Sequence, residues 1–168
     1  MTESHISPLH PRLPAKPGEI RDWGHLYGNA PALAIASAAQ GAGGPLLVVT
    51  GSSAEAQQLE TALRFFLDGT DLPVLPFPDW ETLPWDVFSP HQDIVSERLR
   101  CLARLPDLRQ GILLAPAQTL MQRLAPPEYL QTHSLLLSAG DTLELETMRQ
   151  RLERSGYRCV AKVMEHGE

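Results

Sequence analysis

Two spacings of apolar residues alternate along this chain. Residues 1–16 are polar and proline-rich and read as a loose arm. Residues 18–27 and 31–40 carry helical spacing, and Gly41, Gly43 and Gly44 close the second stretch. Residues 45–50, Pro-Leu-Leu-Val-Val-Thr, form a continuous apolar run of strand length. Such a run suits a parallel strand covered on both faces. Residues 52–68 give the clearest helix: Leu59, Leu63, Phe66 and Leu67 make one stripe, and Gly69 stops it.

The alternation continues. Residues 72–77 predict a short strand between prolines, and 77–88 an irregular segment. Ser89 reads as an N-cap, with Pro90 at the first helical position and Gln92 completing a capping box. The helix that follows turns Ile94, Val95, Leu99, Leu102 and Leu105 inward, and Pro106 ends it. A strand at 110–115 and a short helix at 117–124 come next. Pro126-Pro127 marks a domain boundary. Beyond it the pattern predicts a strand at 134–138, a helix capped by Asp141 and Glu144 and stopped by Gly156, and a strand at 157–164. Strands separated by helices predict an α/β fold with a parallel sheet. The expected organisation is an arm at 1–16, a first domain at 17–125, and the start of a small α+β domain at 126–168.

Composition narrows the function. The chain has 168 residues, 14 basic and 20 acidic, for a formal charge of −6. A broadly basic nucleic-acid footprint is therefore excluded for the chain as a whole. Only Lys16 and Lys162 are lysines; the other basic residues are arginines. Cys101 and Cys159 make no disulfide framework, and no His or Cys spacing suggests a metal. No apolar stretch has the length of a membrane span or a signal peptide, which fits a cytoplasmic protein.

The junction Thr50-Gly51-Ser52-Ser53, where a strand enters a helix, is the place for a nucleotide-phosphate loop. That loop requires GxxxxGK[ST]. With Gly51 aligned to its internal glycine, the two required glycines fall on Val48 and Ser53. Its lysine falls on Ala54 and its magnesium hydroxyl on Glu55. All four are missing. Ser52 and Glu55 instead fit a capping box, which uses the helix-start amides that would hold phosphate.

Phe77, Trp80, Trp85 and Phe88 crowd into twelve residues, with Asp79, Glu81 and Asp86 among them. Aromatic rings stack on bases, but this segment offers no cation for a phosphate backbone. The favoured expectation is that all four rings pin the segment onto the domain. Arg98, Arg100, Arg104 and Arg109 then read as a solvated face.

The strings Pro78-Asp-Trp-Glu-Thr-Leu-Pro-Trp-Asp86, Phe88-Ser-Pro-His-Gln-Asp93 and Ser96-Glu-Arg-Leu99 resemble the N-terminal region of bacterial transcription-repair coupling factors. So do Leu114-Ala-Pro116, Thr119-Leu-Met-Gln-Arg123 and Val163-Met-Glu-His-Gly-Glu168, in the same order. The resemblance implies a module similar to UvrB: a degenerate RecA-like domain followed by the start of a UvrA-binding domain, with the chain a fragment ending in mid-domain. It implies UvrA as a partner, mainly through residues beyond the fragment; here Arg154, Tyr157 and Arg158 are the candidates. RNA polymerase, double-stranded DNA, ATP and magnesium would belong to the full-length translocase, with no cofactor in this segment. It further implies that the segment is not itself an enzyme. An active nucleotide-binding ATPase fragment and a single-stranded nucleic-acid binder are the alternatives. UvrB carries a DNA-engaging hairpin after its aromatic stretch, and here Trp85 reaches Ser89 with no room for one.

Overall fold

A computed structural model describes residues 7–83, 85–133 and 139–162. The chain divides into two compact units, Met1–Arg123 and Leu124–Glu168. In the first, helix α1 (Ala30–Gly41) precedes β1 (Pro45–Thr50), α2 (Ser53–Phe66), β2 (Val74–Pro76), α3 (Gln92–Arg104), a 3-10 turn (Leu105–Asp107), β3 (Gly111–Pro116) and α4 (Ala117–Leu120). All three strands are parallel, in the order β1-β3-β2. The protein is thus an α/β fold with a parallel sheet flanked by helices, as the alternation predicts. Parallel neighbours need crossover helices, and α2 and α3 supply them.

Two apolar clusters hold the sheet. Ile112 and Leu114 of β3 join Val74, Leu63 and Leu67 with Ala32, Ala36 and Ala39 of α1. The alanines let α1 lie close, and Pro31 favours its first turn. On the other face Leu75, Phe77 and Ala115 pack with Cys101 of α3. Alternation of side chains along β2 and β3 sends successive residues to the two faces.

Edge strand β1 departs from the expected two-sided burial. Leu46 and Val48 pack on the first cluster, whereas Leu47 and Val49 are 56% and 48% exposed. The second-face cluster is built on β2, β3 and α3, with no β1 residue at its centre.

No helix forms at 18–27. Gly18 and His25 have positive φ there, as does Gly28 just after it, which helical backbone excludes. The arm expected at 1–16 falls partly outside the described residues; Arg12 accepts from the Trp23 indole at 3.2 Å. α3 starts three residues after the expected cap. Pro90 drives Ser89 toward extended backbone, and His91 caps instead, its Nδ1 accepting from the Asp93 amide at 3.3 Å. The helix after β3 is shorter than expected, ending at Leu120.

The second unit contains α5 (Pro127–His133) and α6 (Leu145–Arg154). Helix α5 was not foreseen; Pro127 opens it at the one place in a helix where proline fits well. The Asp141 cap is not formed: Glu144 is the N-cap of α6 and makes no side-chain capping bond. Gly156, at φ +92°, does stop α6. Its amide bonds Glu153, and that of Tyr157 bonds Leu152, the paired closure of a Schellman turn. The strand expected at 134–138 lies outside the described residues. Residues 157–162 are irregular rather than extended in a sheet. Among the described residues, no helix is long and apolar enough to cross a membrane.

Gly111 shows how tightly the central strand is set. Its φ is +134°, and an added Cβ would lie 2.7 Å from the Pro73 carbonyl oxygen. That carbonyl accepts the Ile112 amide at 2.9 Å, so it cannot withdraw without breaking the ladder. Gly111→Ala is expected to cost about 1–3 kcal/mol, measured by denaturant unfolding.

Candidate functional site

Ligands of open α/β sheets bind beyond the carboxyl ends of the strands. Here that place is the β1–α2 junction. Ser52 is the N-cap of α2, and its Oγ accepts from the Glu55 amide at 3.2 Å. The Glu55 carboxylate reaches one residue further back than a usual capping box and accepts from the Gly51 amide at 2.8 Å. Thr50 Oγ1 donates to the Ser52 carbonyl at 3.0 Å, which fixes the turn. Two donors that would greet a phosphate are therefore held by the chain's own oxygens.

The remaining positions of the loop point the same way. Val48 is a β1 residue packed on the core and paired with Leu114. Ser53 opens α2, and Ala54 and Glu55 are exposed on its first turn. A cavity of about 410 Å³ lies beside this turn. Glu60, Asp79, Glu81 and Glu97 are among the residues that line it, and no lysine or arginine does. The location is that of a nucleotide site, and the charge is the opposite of what phosphates need.

The aromatic segment is split in two. Phe77 is buried, and Trp80 is half-buried. Arg98 lies between them, its guanidinium 4.2 Å from the Phe77 ring centre and 4.1 Å from that of Trp80. Its Nη1 donates to the Pro78 carbonyl. Trp85 and Phe88 do not pin anything: they are 78% and 82% exposed. The backbone is left-handed at Glu81, with φ +58°, between the buried and the exposed pair of rings.

Arg98 also corrects the solvated-face reading of the α3 arginines. It is only 2% exposed, while Arg100 and Arg104 remain at the surface. Burial pulls its guanidinium below the ordinary pKa, and the nearby Asp79 and Cys101 pull it back up. The buried ridge of α3 includes Arg98 and Cys101, three residues apart, rather than Leu99, which is 42% exposed. Counting apolar residues alone rotated the helix. The one signal available was Ile94, Arg98 and Cys101 sharing a helical face with two rings just upstream.

Asp79 was likewise missed. Its carboxylate accepts from Gln118 Nε2 at 2.7 Å, Gln122 Nε2 at 2.6 Å and Thr119 Oγ1 at 3.4 Å. It therefore ties the segment to α4. These acceptor bonds, and Arg98 nearby, give Asp79 a structural role. Cys101, buried beneath Arg98, has its thiol pushed up to about 11 chiefly by burial. It is an inert core thiol at neutral pH.

In the second unit, Arg154 is exposed in the last turn of α6, and Tyr157 and Arg158 follow the Gly156 stop. Tyr157 and Arg158 line an apolar cavity of about 400 Å³ with Leu145, Met148, Leu152 and Val160. Arg154 does not line it.

No protein-family model matches the chain. It is 44% identical over 160 residues, 95% of its length, to a transcription-repair-coupling factor of Haemophilus influenzae. It is 43% identical over 156 residues, 93% of its length, to the protein of that name from Escherichia coli. Against that of Staphylococcus aureus the identity is 31% over 123 residues, 73% of the chain. The chain spans 14%, 13% and 10% of these relatives' lengths.

The split of the aromatic segment is open to measurement. Phe77→Ala is expected to destabilise the protein by about 3–5 kcal/mol, the usual cost of emptying a buried aromatic site. Trp85→Ala is expected to change stability by less than about 0.5 kcal/mol, as exposed positions do. Urea unfolding of the two variants checks both values.

Proposed function

This chain belongs to the transcription-repair-coupling-factor family by similarity along 95% of its length, and on that premise we propose that it is a non-enzymatic docking module of transcription-coupled nucleotide excision repair. The observation that carries the non-enzymatic part is the Glu55 carboxylate on the Gly51 amide, beside a cavity rimmed by acids. ATP hydrolysis, magnesium, RNA polymerase and double-stranded DNA are assigned by this reading to the much longer protein of the family. The module's own partner is UvrA, with Arg154, Tyr157 and Arg158 as the positions to mutate first. Their exposure and the apolar cavity beside two of them support that choice.

A second reading has one observation in its favour. Trp85 and Phe88 are exposed, as rings that stack on single-stranded bases must be. Against it, Glu81 and Asp86 flank them, and the chain carries −6. Quenching of tryptophan fluorescence by an oligonucleotide, relieved by salt, would establish it.

Two experiments test the docking reading. The triple substitution Ser53→Gly, Ala54→Lys and Glu55→Thr restores three of the four missing loop residues, with Val48 kept for the core, and leaves the acidic cavity. It is expected to show no ATP turnover above background, and to lose about 0.5–2 kcal/mol of stability with the cap. Measurable turnover would overturn the reading. In a pull-down, this chain is expected to hold UvrA less tightly than a longer segment of a relative. Tight retention that survives substitution of Arg154, Tyr157 and Arg158 would remove these residues from the contact.

A further inference from the structure

Three arginines from two helices meet around the outer edge of β2. The strand order leaves β2 at one side of the sheet. Helix α2 packs on the face shared with Val74, and α3 on the face shared with Leu75. Between them, along that edge, lies a cavity of about 240 Å³. Arg64 enters it from α2, and Arg100 and Arg104 from α3; Val74, Leu75 and Pro76 form its apolar wall.

Arg64 is partly engaged. It pairs with Glu60, and its Nη2 reaches the Val74 carbonyl at 3.5 Å. Arg100 and Arg104 are exposed, and among the described residues neither makes a hydrogen bond or an ion pair. They stand one helical turn apart, where like charges weaken a helix rather than support it. In a chain of net charge −6, such a concentration of cations is not a reflection of composition. One carboxylate, Glu97, shares the cleft.

We propose that this cleft binds the carboxylate side chains of an extended acidic peptide segment. A guanidinium is a planar fork that holds a carboxylate through two parallel bonds, and three forks around one edge suit acids spaced along a strand. The edge itself offers little to a continuing sheet. Alternate groups of β2 serve β3, so Val74 and Pro76 turn their polar groups outward. Arg64 reaches the Val74 carbonyl at 3.5 Å, and Pro76 has no amide to give. Side-chain carboxylates, rather than a full backbone ladder, are thus what the cleft can read, and the apolar wall receives their methylene stems. Nucleic acid fits less well. Three cations neutralise at most three phosphates, Glu97 opposes them, and the exposed rings Trp85 and Phe88 do not line the cleft.

The proposal stands apart from the docking reading and does not depend on it. The test uses the whole 168-residue chain and a fluorescein-labelled hexapeptide of alternating glutamate and valine, followed by anisotropy. Saturable binding is expected, weakening as salt rises. The pair Arg100→Glu and Arg104→Glu is expected to lower the affinity at least about tenfold. The milder pair Arg100→Gln and Arg104→Gln should act in the same direction, with circular dichroism showing both folded. Absence of binding would overturn the proposal and leave the arginines as charges that guard a sheet edge. Unchanged affinity in both folded variants would overturn it as well. So would tighter binding of a lysine–valine hexapeptide, of inorganic phosphate or of an oligothymidylate than of the glutamate peptide.

Discussion

The Glu55 carboxylate seated on the Gly51 amide is the interaction around which the carboxyl ends of the strands are organised. A strand that runs through a glycine turn into a helix leaves amides that need an acceptor. Phosphate is one solution, and a side chain of the same turn is another. This chain takes the second, and everything nearby is consistent with it. A helix dipole attracts an anion by only about 0.3–1 kcal/mol. A like charge about 4 Å away opposes it by about 4 kcal/mol at the effective dielectric of a protein surface. Glu55, already in place, and Glu60, Asp79 and Glu81 around the adjoining cavity all carry the sign that repels a phosphate.

The second constraint is the charge of Arg98. A guanidinium keeps its proton even when burial works against it, so the fold must surround it with favourable groups. Two ring faces, the Pro78 carbonyl and the field of Asp79 do this. The same groups fix residues 77–80, which have almost no ladder of their own. Asp79 carries the constraint on to α4 through Gln118, and to the turn after it through Gln122. The segment richest in distinctive residues is therefore held by a cation–π stack and a carboxylate hub. In its outer half Leu83, Trp85, Val87 and Phe88 are left exposed.

Much of the fold was legible because β1, α2 and β3 carry long, clean apolar patterns. The Ser52–Glu55 helix start was legible too, since a serine followed three residues later by a glutamate is the pattern of a capped turn. Other features were hidden for definite reasons. Arg98 reads as polar, and only its neighbours in space reveal that two rings cover it. Ser89-Pro90-His91 contains two possible caps, and the choice depends on how proline restrains the residue before it. Trp85 and Phe88 look like anchors in a sequence, where exposure is invisible. Leu47 and Val49 look buried until the strand order places β1 at an edge. The three-arginine cleft could not be seen at all, because Arg64 and Arg104 are joined only by the packing of two helices on one short strand.

The central claim is that the Glu55 carboxylate holds the amide a phosphate would otherwise use. An amide-resolved ¹H–¹⁵N titration of the ¹⁵N-labelled chain with magnesium-ATP tests that claim most directly. The cross-peaks of Gly51, Ser52, Ser53 and Glu55 are expected to stay in place as nucleotide is added. Saturable shifts at these four amides would contradict the account, because they would mean that phosphate displaces the Glu55 carboxylate and that the nucleotide site is open.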